Sequence, residues 1–305
     1  MLNKQDLYRE FTKFLDIKNV FIDEPMKKHT SFKIGGPADI LLTPESIEEV
    51  QQIVKFCNSN NIATFYMGNG SNLLVSDKGM RCVVIKISQN LSEVTIEGTK
   101  VTAQSGILLS RLSKMLLREN LKGFEFADGI PGTLGGAVTM NAGAYNGEIK
   151  DVVTGCRAID KEGNLIEIEG EDLQLGYRTS VIQKKNYIVL EVTMELEKGD
   201  YSEIKKYIDE LTFKRTSKQP LHMPSAGSVF KRPPGHFAGK LIEDCNLKGA
   251  RIGGAQVSEM HAGFIVNVDN ATAEDVVNLI EHIQRTVKER FDVIMDTEVR
   301  IVGEK

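Results

Sequence analysis

The chain has 305 residues, of which 41% are hydrophobic and 26% are charged, and its formal net charge is −4. This length allows two or three domains with ordinary cores. A slightly acidic chain gives no basis for a broad nucleic-acid surface. The short basic clusters Lys27-Lys28 and Lys184-Lys185 are typical of solvated faces.

The beginning of the chain and the cysteines bear on location. Residues 1–15 mix charged with apolar side chains and lack the apolar core of a signal peptide, and no apolar run reaches the length of a membrane span. Cys57, Cys82, Cys156 and Cys245 form no CxxC pair, which favours a reducing compartment without a zinc site or disulfides. We therefore expect a cytoplasmic protein that binds neither nucleic acid nor membrane and holds no metal.

Hydrophobic periodicity predicts helices and strands that alternate, with no internal repeat. Before residue 197 we expect a helix within 1–24, a strand at 38–42, a helix begun by the capping box Ser46–Glu49, strands at 63–67, 82–87, 94–96 and 101–103, a helix from about 106 to 120 ended near Gly123, a hairpin turn at 161–164 and a strand at 188–192. After the charged boundary at 197–200 we expect helices at 201–215 and 238–245, a strand at 264–268, a helix capped by Thr272 and a strand at 298–302.

Two glycine-rich turns far apart in the chain carry the strongest functional signal. Residues 68–74 read GNGSNLL and residues 129–136 read GIPGTLGG, each after a possible strand. Glycine lets a ligand touch the main chain, and successive amides in such turns form a concave site for phosphate. Neither turn is the usual dinucleotide motif, and the first could be only a tight connection. Together they predict a large, doubly phosphorylated ligand.

Six strings occur in an order that resembles one enzyme family. They are residues 29–38, 68–74, 129–136 with 141–145, 177–180, 225–231 and 298–300. In this order they closely resemble the UDP-N-acetylenolpyruvoylglucosamine reductases, flavoenzymes of bacterial peptidoglycan synthesis. The resemblance extends from about residue 25 to residue 303 and matches the shorter form of the family.

The resemblance implies an α+β fold: a two-subdomain FAD-binding fold of the vanillyl-alcohol-oxidase (PCMH) type with a smaller α+β C-terminal substrate domain. The domain limits that we expect are 1–24 for a helical segment, 25–198 for the FAD-binding domain, with subdomains 25–92 and 93–198, and 199–305 for the substrate domain. We expect a monomer, noncovalent FAD and NADPH as the co-substrate. The residues that would bind FAD are Lys33, Gly35, Gly68, Asn69, Gly70, Ser71, Asn72, Ile130, Gly132, Thr133, Gly136 and Arg300.

Three side chains carry the reaction that the resemblance implies. Arg178 would stabilise the enolate-like charge that develops on the substrate carboxylate. Glu298, if protonated through a raised pKa, would donate a hydrogen bond to the same carboxylate. Ser228 would deliver a proton to the carbon that becomes the new stereocentre.

Each of these residues also has an ordinary structural interpretation. Arg178 could be a surface arginine in a turn, Ser228 could belong to a loop or a helix cap, and Glu298 with Arg300 could form an exposed ion pair. The local spacing does not decide between the interpretations. The resemblance of the whole chain favours the catalytic one.

The uridine diphosphate of the substrate requires a further pocket. The candidates are Tyr177, Lys231, Lys248 and His261, with the lysines preferred because a diphosphate requires cations. Arg232 stands where some relatives have asparagine, which leaves that contact open.

Two other functions stay open on the residues alone: an FAD oxidase of the same fold and a nucleotide-sugar-binding protein without catalysis. In the shorter family form the site would be more open, and Arg178 would take part of the role of a loop tyrosine.

Overall fold

The computed structural model describes residues 2–304, so Met1 and Lys305, the outer ends of the first and last predicted domains, lie outside the described residues. The helices are α1 (Lys4–Phe11), α2 (Ile47–Ser59), α3 (Leu109–Arg118), α4 (Leu134–Thr139), α5 (Val181–Lys185), α6 (Tyr201–Thr216), α7 (Ala238–Asp244) and α8 (Ala273–Phe291). The strands are β1 (Val20–Pro25), β2 (Pro37–Leu42), β3 (Thr64–Met67), β4 (Leu73–Val75), β5 (Met80–Lys86), β6 (Val94–Glu97), β7 (Lys100–Gln104), β8 (Leu121–Lys122), β9 (Gly143–Ala144), β10 (Gly147–Glu148), β11 (Val153–Ile159), β12 (Leu165–Glu169), β13 (Ile188–Glu195), β14 (Glu197–Lys198), β15 (Arg251–Ile252), β16 (Ala255–Val257), β17 (Ile265–Asn267) and β18 (Arg300–Val302).

The chain forms two compact units, each built from three separate segments. Unit 1 comprises Met1–Ile22, Ile40–Asn69 and Cys82–Arg215, and unit 2 comprises Asp23–Asp39, Gly70–Arg81 and Thr216–Lys305. Because the segments alternate along the chain, no single cut separates the two units. The domain limits expected after residues 24, 92 and 198 stay predictions.

Unit 1 contains an antiparallel five-stranded sheet in the order β12-β11-β13-β7-β6. Its central strand β13 is almost entirely covered, as its run of apolar residues predicts. The amphipathic helix α3 buries Leu109, Leu112 and Leu116 in the core of this part, and α4 packs against β13.

A second sheet of unit 1 lies under α2. The strand order in this sheet is β1-β2-β5-β3, taking only the residues of these strands that belong to unit 1. Strand β3 pairs with β5 in parallel. The predicted apolar face of α2 is buried over its whole length, at Val50, Ile53, Val54 and Cys57. Burial of these side chains supplies the main stabilisation of the helix on the sheet.

Two predicted caps differ from the structure. The Ser46 hydroxyl accepts from the Glu49 amide at 3.1 Å, but the Glu49 carboxylate accepts from the amide of Glu45 and not from that of Ser46. The prediction of a reciprocal capping box was therefore half right. The left-handed residue just after α3 is Asn120, with φ 56°, and not Gly123, because asparagine also tolerates this conformation.

In unit 2 a small antiparallel sheet, β15-β16-β17, packs with α7 and α8 around one apolar core. The predicted stripe of α8 is buried at Val276, Ile280, Ile283 and Val287. Thr272 caps α8 as predicted, and its hydroxyl accepts from the Asp275 amide at 3.0 Å. Strand β18 pairs with β4 in parallel, with Arg300 opposite Leu73.

Within residues 2–304, none of the helices combines the length and the apolar character that crossing a membrane would require.

Candidate functional site

The two glycine turns contact each other in unit 1. A Cβ atom on Gly68 would overlap the hydroxyl of Thr133, so only glycine allows this approach. The Asn69 side chain donates to the Pro131 carbonyl at 2.7 Å. Residues that are about sixty positions apart in the sequence therefore form one surface, as two turns that share a ligand require.

The second turn presents main-chain donors. The carbonyl of Gly132 accepts from the Leu109 amide at 3.1 Å, which fixes the turn on the start of α3. Among residues 2–304, the amides of Gly132 and Thr133 donate to no backbone carbonyl. The Thr133 hydroxyl accepts from the Gly136 amide at 3.5 Å and caps α4. Ile130, also predicted here, is half-buried.

The remaining residues of the first turn belong to unit 2, together with the segment that carries Lys33 and Gly35. Gly70 has φ 66° and its carbonyl accepts from the Ser31 amide at 3.3 Å, and Ser71 follows it. Gly35 has φ 137°, and a Cβ there would lie 2.8 Å from the Cβ of Val75. Lys33 is exposed with φ 55°, so its side chain extends from a strained turn into solvent.

Asn72 joins the first turn to the end of the chain within unit 2. Its side chain donates to the Glu298 carbonyl at 3.0 Å, and its own carbonyl accepts from the Arg300 amide at 3.0 Å. Arg300 is exposed on β18 while Val299 is buried. Glu298 and Arg300 are expected to alternate with Val299 and Ile301, and the prediction holds for Val299 and Arg300 but is wrong for Ile301, which is 48% exposed.

Ser228 and Glu298 lie on neighbouring extended segments of unit 2. Ser228 forms an antiparallel bridge with Phe264, and Phe230 forms one with Thr297. The Glu298 amide donates to the Val229 carbonyl at 2.7 Å. The Ser228 hydroxyl makes one long contact, 3.4 Å to the Phe230 carbonyl, so it is not used as a helix cap. These bonds place the backbone of Glu298, which is proposed to bind the substrate carboxylate, beside the segment that carries Ser228, the proposed proton donor.

His261 lies beside Ser228. Its Nδ1 accepts from the Gly263 amide at 3.2 Å, and a Cβ on Gly263 would lie 3.3 Å from the Ser228 hydroxyl. The ring meets Phe264 edge-on at 5.0 Å. Burial lowers the pKa of His261 below its ordinary value of 6.5, and the charge of Lys248 acts in the same direction. His261 is therefore a neutral hydrogen-bond group near the serine.

The two preferred lysines differ in their surroundings. Lys248 follows α7 as predicted, and its Nζ lies 2.8 Å from a carboxylate oxygen of Glu243. Lys231 is half-buried, and its amide donates to the Asp296 carbonyl at 2.9 Å. Lys231 therefore starts from a fixed backbone position, whereas Lys248 would have to leave a carboxylate to bind a diphosphate.

Arg178 occupies a tight turn in unit 1. The backbones of Gly176 and Thr179 bond to each other in both directions, at 3.0 and 3.2 Å, so Tyr177 and Arg178 form the two-residue tip. Arg178 has φ 56°, which is uncommon for a residue with a long side chain. Its guanidinium lies 3.5 and 3.4 Å from the carbonyls of Asn141 and Gly143, and 5.1 Å from the centre of the exposed Tyr177 ring.

Asn141 holds this turn in place. It is fully buried, and its amide group donates to the Gly176 carbonyl at 3.1 Å and to Glu148 at 2.8 Å. Its Oδ1 accepts from the Lys150 amide at 2.9 Å. Arg178 is therefore not a loose surface arginine, because it is strained and braced, as residues at functional sites often are. Arg178 belongs to unit 1, and Ser228 and Glu298 belong to unit 2.

Comparison with known proteins decides the family. A family model described as the C-terminal domain of UDP-N-acetylenolpyruvoylglucosamine reductase matches residues 219–302, and one described as an FAD binding domain matches residues 38–169. The UDP-N-acetylenolpyruvoylglucosamine reductase of Alkaliphilus metalliredigens is 63% identical over 303 residues, which are 99% of this chain and 100% of that protein. The chain belongs to the UDP-N-acetylenolpyruvoylglucosamine reductase family.

Other relatives agree with the UDP-N-acetylenolpyruvoylglucosamine reductase assignment. The protein of that name from Clostridium perfringens is 54% identical over 298 residues, 98% of each chain. The crystal structure of the Thermus caldophilus reductase has a TM-score of 0.79 at 34% identity and covers 91% of this chain and 97% of its own. The family and the FAD-binding fold with its C-terminal domain, both expected from the sequence strings, are confirmed.

A flavin adenine dinucleotide fits the residues of the glycine turns. Its diphosphate requires main-chain donors without side chains in front of them. Gly68 can bear no side chain against Thr133, and the amides of Gly132 and Thr133 have no backbone acceptor in the described part of the chain. The observed surface meets that requirement.

Two residues near the site were missed as functional residues. Asn141 was part of a matched string, but nothing in the sequence indicated that its side chain supports the Arg178 turn. Arg215 is also buried, beside the second glycine turn. Arg215 continues at helical spacing the stripe that Ile204, Ile208 and Leu211 bury, so its position was a signal of burial. The charge outweighed that signal, because most charged residues at the end of a helix are solvated.

Proposed function

We propose that the protein is an NADPH-dependent flavoenzyme that reduces the enolpyruvyl group of UDP-N-acetylglucosamine enolpyruvate to the lactyl ether, giving UDP-N-acetylmuramate. Membership of the reductase family makes it an FAD-dependent oxidoreductase of peptidoglycan synthesis. NADPH as electron donor, action in the cytoplasm as a monomer, and the residue roles belong to the proposal. The observation that carries the residue roles is the pairing of the Ser228 and Glu298 segments.

The residues of the two glycine turns would hold the flavin. Backbone amides around Gly132 and Thr133 would bind the diphosphate, and residues 68–72, Gly35 and Lys33 would complete the contact, with Arg300 near the ring. When bound, the flavin supplies two-electron storage between NADPH and the enolpyruvyl group. No histidine lies within either glycine turn, which supports a noncovalent mode of binding.

Ser228 would act as the proton donor. Reduction places an electron pair on the carbon that bears the carboxylate, and the Ser228 hydroxyl gives that carbon its proton. The hydroxyl is available because its single hydrogen bond among residues 2–304 is the long one, 3.4 Å, to the Phe230 carbonyl. The enolate-like species is a strong base, which makes a weak acid such as serine sufficient.

Arg178 and Glu298 would bind the substrate carboxylate. The guanidinium carries a permanent charge and can donate two parallel hydrogen bonds to a carboxylate. Two of its contacts are to carbonyl oxygens at 3.4 and 3.5 Å, which are long hydrogen bonds that a carboxylate can replace. Glu298 would donate from its protonated form to the same carboxylate.

Uridine diphosphate would contact Tyr177, Lys231, Lys248 and His261. Lys231 is the leading cation because its backbone is fixed next to the Ser228 segment, while Lys248 is already paired with Glu243. The Tyr177 ring is exposed and is large enough to cover a base.

One anaerobic turnover cycle tests the proposal. NADPH is expected to bleach the flavin absorbance of the purified protein, and the enolpyruvyl sugar is expected to restore it with release of UDP-N-acetylmuramate. Rapid recovery in air with no response to the sugar would indicate an oxidase instead. A protein that stays colourless after reconstitution with FAD would be a binding protein, and the proposal would be wrong.

A further inference from the structure

Arg215 is a buried cation next to the second glycine turn. It lies in the last turn of α6 in unit 1 and is only 8% exposed. The neighbouring cation of α6, Lys214, is exposed, so Arg215 is the one of the two that faces the interior of the unit. Arginine is rarely buried unless it is paired, because its charge cannot be removed.

The guanidinium lies directly against the backbone that begins the second turn. A Cβ on Gly129 would lie 2.7 Å from the Arg215 Cδ and 3.0 Å from its Cζ, and it would overlap the Nε. Glycine at position 129 therefore leaves the space that the arginine fills. Gly132 and Thr133, whose amides lack backbone acceptors in the described chain, follow three and four residues later.

A strained hairpin places an aromatic ring on the arginine. Strands β9 and β10 are joined by Tyr145 and Asn146, with φ 52° and 68°, the signature of a type I′ turn. Gly147 packs flat on Phe126, where a Cβ would lie 2.6 Å from the ring. The Tyr145 ring centre lies 5.5 Å from the Arg215 Cζ, within range of a cation–π contact.

The arginine nevertheless lacks hydrogen-bond partners. Within residues 2–304, no hydrogen bond or ion pair is formed by the Arg215 side chain, although a guanidinium carries five N–H donors. Asp128 is close enough to affect it electrostatically, yet the buried Asp128 Oδ1 also has no hydrogen-bond partner in the described chain. None of the Arg215 nitrogen atoms is fully enclosed, whereas the Asp128 Oδ1 is, so the small exposed fraction of the arginine includes its open donors. A guanidinium that is held in place by burial and still presents donors at the surface is suited to pair with an anion that arrives with a ligand.

We propose that Arg215 is an anion-binding residue that pairs with a phosphate group of a nucleotide diphosphate held at the second glycine turn. The Arg215 guanidinium lies against Gly129, and the open amides of Gly132 and Thr133 belong to the same turn. All of these groups are hydrogen-bond donors with positive charge or partial positive charge, which an anion requires. The inference rests on the proposed function, in which two ligands carry a nucleotide diphosphate: FAD and the UDP-sugar.

Two binding measurements separate these sources. The first measures release of FAD from the holoenzyme on dilution, by flavin fluorescence, and the second measures binding of UDP to the holoenzyme by calorimetry. Loss of a charge-assisted contact predicts that Arg215→Gln and Arg215→Lys raise one of the two dissociation constants by about 10-fold or more. The ligand whose dissociation constant rises, FAD or UDP, is the one that contacts the arginine.

Arg118→Gln is the matched control, because Arg118 is an exposed arginine in the last turn of α3 in the same unit. It is expected to change neither constant by more than about twofold. Binding of both ligands by the Arg215 variants with wild-type affinity would overturn the inference and leave the proposed function intact. A wild-type protein that binds neither FAD nor UDP would overturn both.

Asp128→Asn keeps the arginine in place and so covers the case in which Arg215 variants do not fold. The change removes the carboxylate that competes with a bound phosphate, and it predicts that the same dissociation constant falls about threefold. An unchanged or raised constant for both ligands would contradict an anion site at Arg215.

Discussion

In unit 1, Arg178 is held at the tip of a two-residue turn in the left-handed conformation, whereas in unit 2 Ser228 and Glu298 lie on extended segments joined through their backbones. The arginine depends on a side chain, Asn141, that bonds to the base of its turn. The serine and glutamate depend on main-chain bonds that any residue could make. Substitutions at Ser228 therefore test chemistry, while substitutions around Arg178 also test the support of the turn.

The largest effect is expected for Ser228→Ala. Because the Ser228 hydroxyl makes a single, long hydrogen bond in the described part of the chain, the variant is expected to fold and to be bleached by NADPH at the wild-type rate. Turnover of the enolpyruvyl sugar is expected to fall by about 10²–10⁴-fold, the usual contribution of a general acid. Stopped-flow absorbance separates the two half-reactions.

Ser225→Ala, three residues earlier in the same segment, is the control and is expected to keep full turnover. Steady-state turnover of Ser228→Ala at the wild-type level would exclude Ser228 as the proton donor.

Arg178→Lys is expected to lower kcat/KM for the enolpyruvyl sugar by about 10²-fold, since the ammonium cannot reproduce a two-point contact with a carboxylate. Reduction of the flavin by NADPH reports whether the rest of the site is intact. Arg157→Lys, at a partly buried ion pair with Glu191 on β11, is the comparison and is expected to have little effect because lysine keeps the charge. Equal kinetics for the two variants would show that Arg178 is only a turn residue.

Asn141→Ala tests the support of the turn. The change removes three hydrogen bonds from a fully buried position and leaves the Lys150 amide without its acceptor, while the Gly176 carbonyl keeps only its bond from the Thr179 amide. The free energy of unfolding in urea is expected to fall by about 2–4 kcal/mol. Asn164→Ala, in the exposed hairpin between β11 and β12, is expected to cost below ~1 kcal/mol. Similar losses in the free energy of unfolding for both variants would show that the Asn141 side chain does not support the Arg178 turn.

The smallest effect is a dependence of stability on pH in unit 2. Burial lowers the pKa of His261 below 6.5 in the folded state, so the unfolded chain binds more protons as the pH falls through 6.5. The free energy of unfolding is therefore expected to decrease on going from neutral pH towards the lowered pKa. His261→Asn, which keeps an acceptor for the Gly263 amide, is expected to flatten this dependence. The exposed His222→Asn is the control, and an equal slope in all three proteins would contradict the prediction.

Much of the secondary structure follows from local pattern. The stripe of α8 and the cap at Thr272, the face of α2 and the covered strand β13 are all predicted from residues a few positions apart. The predictions that the structure corrects, the reciprocal half of the capping box and the role of Gly123, depend on choices between neighbouring donors and neighbouring left-handed residues. Energies that differ by less than about 1 kcal/mol decide such choices, and a sequence pattern does not resolve them.

By itself the sequence determined the family and the two glycine turns, because turns that admit a ligand to the main chain need glycine at fixed positions and leave a readable string. Only the tertiary structure showed that Gly68 closes on Thr133, that Asn141 supports the Arg178 turn, and that Arg215 is buried without a hydrogen-bond partner among residues 2–304. Contacts of this kind join positions from tens to hundreds of residues apart, and each depends on the packing of elements whose own sequences carry no record of the partner.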